Sequence, residues 1–447
     1  MKHYKLTRTI QIFLLLLVSS HSLLAQDFPV ARDLALKDAI DLVIQNSKQL
    51  KGNKARIDEA TAAVREAKDQ RLPDFKISGS YLRLNNPNIS LKTKSGSSAP
   101  ADSNQIKVSS AIYGIANISY PLYSGGRIQY GIESAKYLEQ AAKLDADNNR
   151  GAVILNTIDA YVNLYKAHAA AELVKENLEQ SKKRDTDFVN LEKNGLLARN
   201  DLLKVQLQTS NIELSLFEAI SNWKLANINM DLMLGLPENT LIVQDSTSIL
   251  SPAPIMTIEQ YEKQAMDNRK DMKALALRQK AAGTGIKIAK ADYYPGIALS
   301  GGYIAADVPG LLSVTNAVNI GVGVQYSLSS LWKTKAKVEQ AKAREQQLLA
   351  EEDALNDNMR YQINEAYQSY LIGQKKIEVY EKAIDQATEN YKITKNKYNN
   401  SLVTTTELLD ADVAQLQAKL NHAFAKADAV VAYNKLLQSA GLLLANK

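Results

Sequence analysis

Apolar residues along this chain recur with two different periods, and proline marks places where one period gives way to the other. Val318, Ile320, Val322, Val324 and Tyr326 fall on one side of an extended chain, with Asn319, Gly321, Gly323 and Gln325 on the other. Phe75, Ile77, Gly79 and Tyr81 repeat the alternation, as do Ile297, Leu299, Gly301 and Tyr303. Alternation with period two predicts strands with one apolar face. Each run is about ten residues, which suits a tilted strand crossing a bilayer. A half-buried hairpin in a soluble domain would show the same pattern. Elsewhere the period is helical. Ile154, Ile158, Tyr161 and Tyr165 step by four, three and four; Ile363, Tyr367, Tyr370, Ile377 and Ile384 step by four, three, seven and seven. Such seams pack helices side by side, so their tyrosines are read as packing residues.

The elements occur twice. Leu72-Pro73 opens a stretch ending Ser78-Gly79-Ser80-Tyr81, and Tyr294-Pro295 opens one ending Ser300-Gly301-Gly302-Tyr303, at an offset of 222. Further on the offset is 206: Tyr120, Leu122 and Ser124 match Tyr326, Leu328 and Ser330, and Ala160-Tyr161 matches Ala366-Tyr367. Leu203, Leu207 and Leu214 then match Leu409, Val413 and Leu420. The difference of 16 places a longer loop in the first copy, over the polar stretch Lys92 to Asn104. Such an internal repeat organises the whole chain. The first repeat, 26–236, predicts a helix over 33–71, strands 75–84 and 112–121, a long helix 125–193, a turn at 194–199 and a helix 200–234. A linker at 237–256, carrying Pro237, Pro252 and Pro254, joins the two copies. The second repeat, 257–447, predicts a helix 257–292, strands 297–306 and 317–327, a long helix 331–398, a turn at 399–403 and a helix 404–444. Helix 125–193 alone would span on the order of 100 Å. Two shorter helices laid end to end would match each long one, which describes a wall segment rather than a globule.

Composition changes the picture by exclusion. With no cysteine there is no disulfide, thiolate metal site or catalytic thiol. Of four histidines, His3 and His21 lie in the leader, and His168 and His422 read as helix-surface residues. Neither zinc-ligand spacing nor a nucleophile elbow is present, so an enzyme is not expected, and no cofactor or metal with it. The first 25 residues predict a secretory signal peptide: basic Lys2, Lys5 and Arg8, an apolar run from Ile10 to Val18, and small residues up to Ala25. Without that leader, 51 basic residues face 48 acidic ones, a net charge of +3 that is no nucleic-acid footprint.

Four strands cannot close a barrel, since small closed barrels need about eight. Strands placed in lipid with open edges are prohibitively costly, so several chains must pool theirs; this argument does not choose three over two or four. The segments Tyr120-Pro121-Leu122-Tyr123-Ser124-Gly125-Gly126-Arg127, Asn194 to Leu203, and Glu407-Leu408-Leu409-Asp410-Ala411 carry a more specific likeness. In their order the chain resembles the outer-membrane efflux protein family, the TolC-like channels. The resemblance implies a mixed α+β membrane protein: a homotrimer with a twelve-stranded transmembrane barrel, four strands per chain, continued by a periplasmic coiled-coil tunnel. It implies residence in the outer membrane, contact with its lipid, and docking to a periplasmic adaptor and an inner-membrane pump in a tripartite efflux or type I secretion system. Two departures stand out, Leu331-Trp332 in place of the glycine pair and Ser401 in place of the tip glycine. A soluble periplasmic coiled-coil scaffold is the alternative from the residues alone.

The resemblance also implies which residues meet the partner. Gly195, Leu196, Leu197 and Arg199 of the first turn, and Ser401, Leu402 and Val403 of the second, would form the adaptor-docking tip. Asp201 and Glu407 stand six residues past Gly195 and Ser401, with Asp410 one turn beyond. Pooled over three copies these acids would ring a constriction and attract cations. Acids in a first helical turn also serve the helix dipole, and Asn200 or Thr404 would cap the helices there.

Overall fold

A computed structural model describes residues 31–85, 87, 108–245 and 255–443. The predicted leader, the polar loop 92–104 and linker residues 246–254 lie outside them. Among the described residues there are six strands and eight helices. In chain order they are β1 (Ala31–Leu34), α1 (Leu36–Asn46), α2 (Lys48–Asp69), β2 (Asp74–Arg83), β3 (Ser110–Tyr123), α3 (Arg127–Lys193) and α4 (Arg199–Leu234). There follow β4 (Leu241–Gln244), α5 (Ile258–Asn268), α6 (Lys270–Ala291), β5 (Gly296–Val308), β6 (Leu312–Gln325), α7 (Ser330–Asn399) and α8 (Thr405–Ser439). The described residues fall into two compact units, one within 1–51, 149–269 and 358–447, the other within 52–148 and 270–357.

The first unit is helical apart from β1 and β4. Its core takes part of the predicted seam: Ile154, Ile158, Tyr161, Ile363 and Tyr370 are buried, and Tyr165, Tyr367, Ile377 and Ile384 are half-buried. The Tyr161 hydroxyl donates to the Leu34 carbonyl at 2.8 Å, and burial pushes its phenol up to about 12. Two features depart from the sequence reading. The helices expected over 33–71 and 257–292 are each broken, at Ser47 and at Arg269, where ψ turns to 122° and 123°. No proline or glycine marks either site. The cause is tertiary: Asn46 Nδ2 donates to the Leu234 carbonyl at 2.7 Å, and the Arg269 guanidinium donates to Gln362 and to the Ser439 carbonyl. Left-handed Gly235 and Gly441, 206 apart, press on the two breaks, and a Cβ on Gly441 would stand 2.9 Å from the Arg269 nitrogen. The second departure is β4, which lies inside the linker 237–256 and pairs in parallel with β1. Four residues are too few for a period to show.

The second unit holds one four-stranded antiparallel sheet in the order β2-β3-β5-β6. The four predicted strands are present, with β6 starting five residues before the expected 317. Pro309-Gly310 makes a tight turn there, with Gly310 at φ +79° and the Leu311 N–H on the Val308 carbonyl at 3.0 Å. Proline before a positive-φ glycine is the signature of a type II turn, and it brings the strands together sooner than alternation alone suggests.

Candidate functional site

Strand register sorts the sheet's side chains into two faces. Phe75, Ile77, Gly79 and Tyr81 of β2 stand opposite Ile118, Ala116, Gly114 and Ile112 of β3. Those positions meet Gly301, Tyr303, Ala305 and Asp307 of β5. Leu299, Gly301 and Tyr303 then meet Val322, Ile320 and Val318 of β6. One continuous face is therefore apolar until the row of Asp307. The opposite face carries Lys76, Asn117, Gly302 and Asn319 in a single row, with Ser119, Ser300 and Gly321 in another. The apolar face is uncovered by its own unit: Ile77 is 76% exposed and Ile320 82%. Beyond the sheet, β2 and β6 each keep one edge with no strand partner among the described residues. No described helix is long and apolar enough to cross a membrane.

At the sheet's helical end, β3 turns into α3 through Gly125 and Gly126, at φ +64° and +84°. A Cβ on Gly125 would stand 2.6 Å from the Ala291 carbonyl oxygen, so glycine is required on contact as well as on φ. These glycines form a tight turn whose backbone and close contacts require them. Leu331 and Trp332, which replace them in the second copy, sit inside α7 because that helix starts at Ser330.

The predicted tip residues belong to the first unit, where both turns meet. Phe188, Leu202, Val205 and Leu408 form one buried cluster, with Leu197, Tyr398 and Leu409 packed on it. The Phe188 and Tyr398 rings stack at 5.4 Å. The turns are built alike: the Leu196 N–H bonds the Leu191 carbonyl and the Leu402 N–H the Lys397 carbonyl, both at 2.9 Å. Each places its hinge residue in the left-handed region, Gly195 at φ +70° and Ser401 at φ +60°. Ser401 thus keeps the geometry glycine would give, against the preference of an L side chain. Leu196 and Leu402, 206 apart, project at 75% and 72% exposure, whereas Leu197 and Val403 are half-buried. Arg199 is exposed and contacts Glu192 at 3.4 Å.

The acids have separate fates. Glu407 is held in a capping box, accepting from the Thr404 N–H at 2.7 Å, and that bond keeps its carboxyl below the usual range. Asp201 pairs with Lys204 at 3.1 Å. Asp410 is exposed. Thr404 caps α8, but Ala198 rather than Asn200 occupies the cap of α4, with no side-chain bond; Asn200 already lies in its first turn. Sequence reasoning missed a buried ion pair, Arg184 to Asp412 at 2.8 Å, which Asn177 joins at 3.3 Å. Its only signal is position, eleven residues before Gly195 and eleven after Ser401. Among the described residues no acid and histidine cluster could hold a metal.

The profile of the family described as Outer membrane efflux protein matches residues 39–236 and 262–442. Among curated proteins none matches. Several solved structures share the fold. The outer membrane protein VceC of Vibrio cholerae is 19% identical over 91% of this chain and 96% of its own, with a TM-score of 0.72. The CmeC outer membrane channel of Campylobacter jejuni is 17% identical over 91% and 86%, at 0.72. A membrane protein of Pseudomonas aeruginosa is 16% identical over 91% and 90%, at 0.76.

Proposed function

The chain belongs to the outer membrane efflux protein family, and from that premise we propose that it is a passive export duct completed by three copies of itself. An outer-membrane efflux protein is a channel and not an enzyme. In this reading each repeat, 26–236 and 257–447, supplies two strands, and three chains close twelve into a barrel in outer-membrane lipid. The helical unit extends into the periplasm, where Leu196, Leu197, Arg199, Leu402 and Val403, hinged at Gly195 and Ser401, contact an adaptor. An inner-membrane pump supplies the energy. Asp410, with Glu407 one turn before it and Asp201 on the first hairpin, is the acid offered to a cation at the gate.

One observation carries the reading, the in-register sheet with a bare apolar face and two open edges. In water that face and those edges would be an aggregation template; in lipid the edges must pair with another chain. The helical unit supports the same conclusion. On α4, Leu203, Leu207, Leu214, Phe217, Leu225 and Leu232 are exposed, at steps of three, four, seven or eight, a seam that suits a neighbouring helix. A soluble scaffold would leave both surfaces wet.

The chain has no cysteine, so engineered pairs have a silent background. Cysteines at alternate positions along β2 and β6 should yield, on oxidation in membranes, a ladder of linked species ending at three chains. A ladder that stops at two or runs past three would overturn the trimer. Release of the chain by carbonate washing would overturn the membrane assignment.

A further inference from the structure

The described residues of the second unit enclose a cleft of about 440 Å³ where β6 passes into α7. Arg127, Lys333 and Lys337 line it together with one acid, Asp292. Asp292 is already engaged, by Lys337 at 2.6 Å and by Arg127 at 3.7 Å. Lys333 has no acidic partner among the described residues, and the lining carries a surplus of two positive charges. Ser330 opens α7, and Thr334 stands one turn above it on the same face. The Ser330 hydroxyl oxygen is buried with no hydrogen-bond partner. Thr334 is only 1% exposed, lines the cleft, and its hydroxyl has no partner among the described residues.

Buried polar groups are normally satisfied, so the idle Ser330 hydroxyl beside surplus cations describes a site lacking its occupant. The occupant must accept hydrogen bonds and carry negative charge. The positive end of a seventy-residue helix lies at the same space and favours an anion through its dipole, while the N–H groups of Ser330, Leu331 and Lys333 are already bonded to the carbonyls of Ser327, Leu328 and Ser329. We propose that this cleft binds a phosphate group, held by Lys333, Lys337 and Arg127 and by the Ser330 and Thr334 hydroxyls. Tetrahedral phosphate oxygens accept from ammonium, guanidinium and hydroxyl donors at once. Gly296 and Gln325, which pair across β5 and β6 and also line the cleft, fall on the polar face of the sheet. The opening therefore suits a phosphate carried by a water-soluble molecule better than one arriving through the apolar face.

Detergent-solubilised full-length protein titrated calorimetrically with inorganic phosphate, at constant chloride, tests this. Saturable binding is expected, weakened at least tenfold in Lys333→Gln and in Thr334→Val, and unchanged in Lys375→Gln elsewhere on α7. Both cleft variants must keep the wild-type helical circular dichroism. A second arm asks whether phosphatidylglycerol in the micelle displaces inorganic phosphate. Displacement assigns the site to a lipid headgroup and its absence to a soluble phosphate, and either supports the proposal. No saturable binding of either probe, or variants that bind like wild type, would overturn it.

Discussion

Adjacent residues of β6 should respond oppositely to the same substitution. Ile320 points to the apolar face and Gly321 to the polar one, paired with Gly301 and Ser300 of β5. Ile320 lies near the centre of the run Val318 to Val324, so Ile320→Arg would carry a guanidinium toward the bilayer midplane. There arginine costs about 2–4 kcal/mol per copy, or about 6–12 kcal/mol for three copies in one ring. That rivals the whole stability of a typical domain, roughly 5–15 kcal/mol. Gly321→Arg should be nearly free, because a Cβ there meets nothing within 4 Å and its side chain enters the aqueous side. The assay is the yield of heat-sensitive, SDS-resistant oligomer from outer-membrane fractions. Ile320→Arg should lose most of it and Gly321→Arg should keep it. Equal loss from both, or a loss only from Gly321→Arg, would refute the assignment of faces.

Other perturbations test other parts. Replacing Ser401 by glycine removes a non-glycine residue from φ +60° and should raise stability toward chemical denaturation by about 1 kcal/mol. Asp412→Ala leaves Arg184 buried without its partner and should cost about 3–5 kcal/mol in guanidinium unfolding of the helical signal; Arg184→Met together with Asp412→Ala should recover most of that. Burial first, and Glu238 second, raise the Asp231 carboxyl to about 6 from 3.8. The folded state then holds a proton that the unfolded chain has released, so stability should fall as pH rises from about 4 to 6 and then level; Asp231→Asn should flatten that slope in pH-dependent melts. Asp410→Ala should weaken cation block of single-channel conductance in planar bilayers, and unchanged block would remove Asp410 from the gate.

Much of this fold was legible because its signals are long. Alternation over Val318 to Tyr326 located β6 and gave its apolar face, since a period of two leaves no freedom once one residue is placed. Helices of 67 and 70 residues average out weak propensities. What sequence missed is short or distant. Four residues each of β1 and β4 pair across more than two hundred positions, and nothing local announces them. The breaks at Ser47 and Arg269 arise because the ends of α4 and α8 dock there, and ordinary helix formers give way to that contact. Asn200 was a reasonable cap by residue type, yet the turn after Gly195 spends its residues so that Ala198 arrives at the capping position. Arg184 and Asp412 look like two more surface charges until three helices close over them.

The repeats also diverge where divergence has consequences. Offset by 206, Asp201 corresponds to Glu407, and Lys204 corresponds to Asp410. In the first turn the acid is neutralised locally by Lys204. In the second the equivalent acid is turned onto its own capping residue, and the lysine is replaced by a second acid that stays exposed. The two hinges thus share a backbone and differ by two units of charge at one position. A closed ring of three such chains would alternate neutralised and acidic hairpins around its mouth. Cation attraction would therefore concentrate on the second hairpin, and Lys204→Asp should extend it to the first.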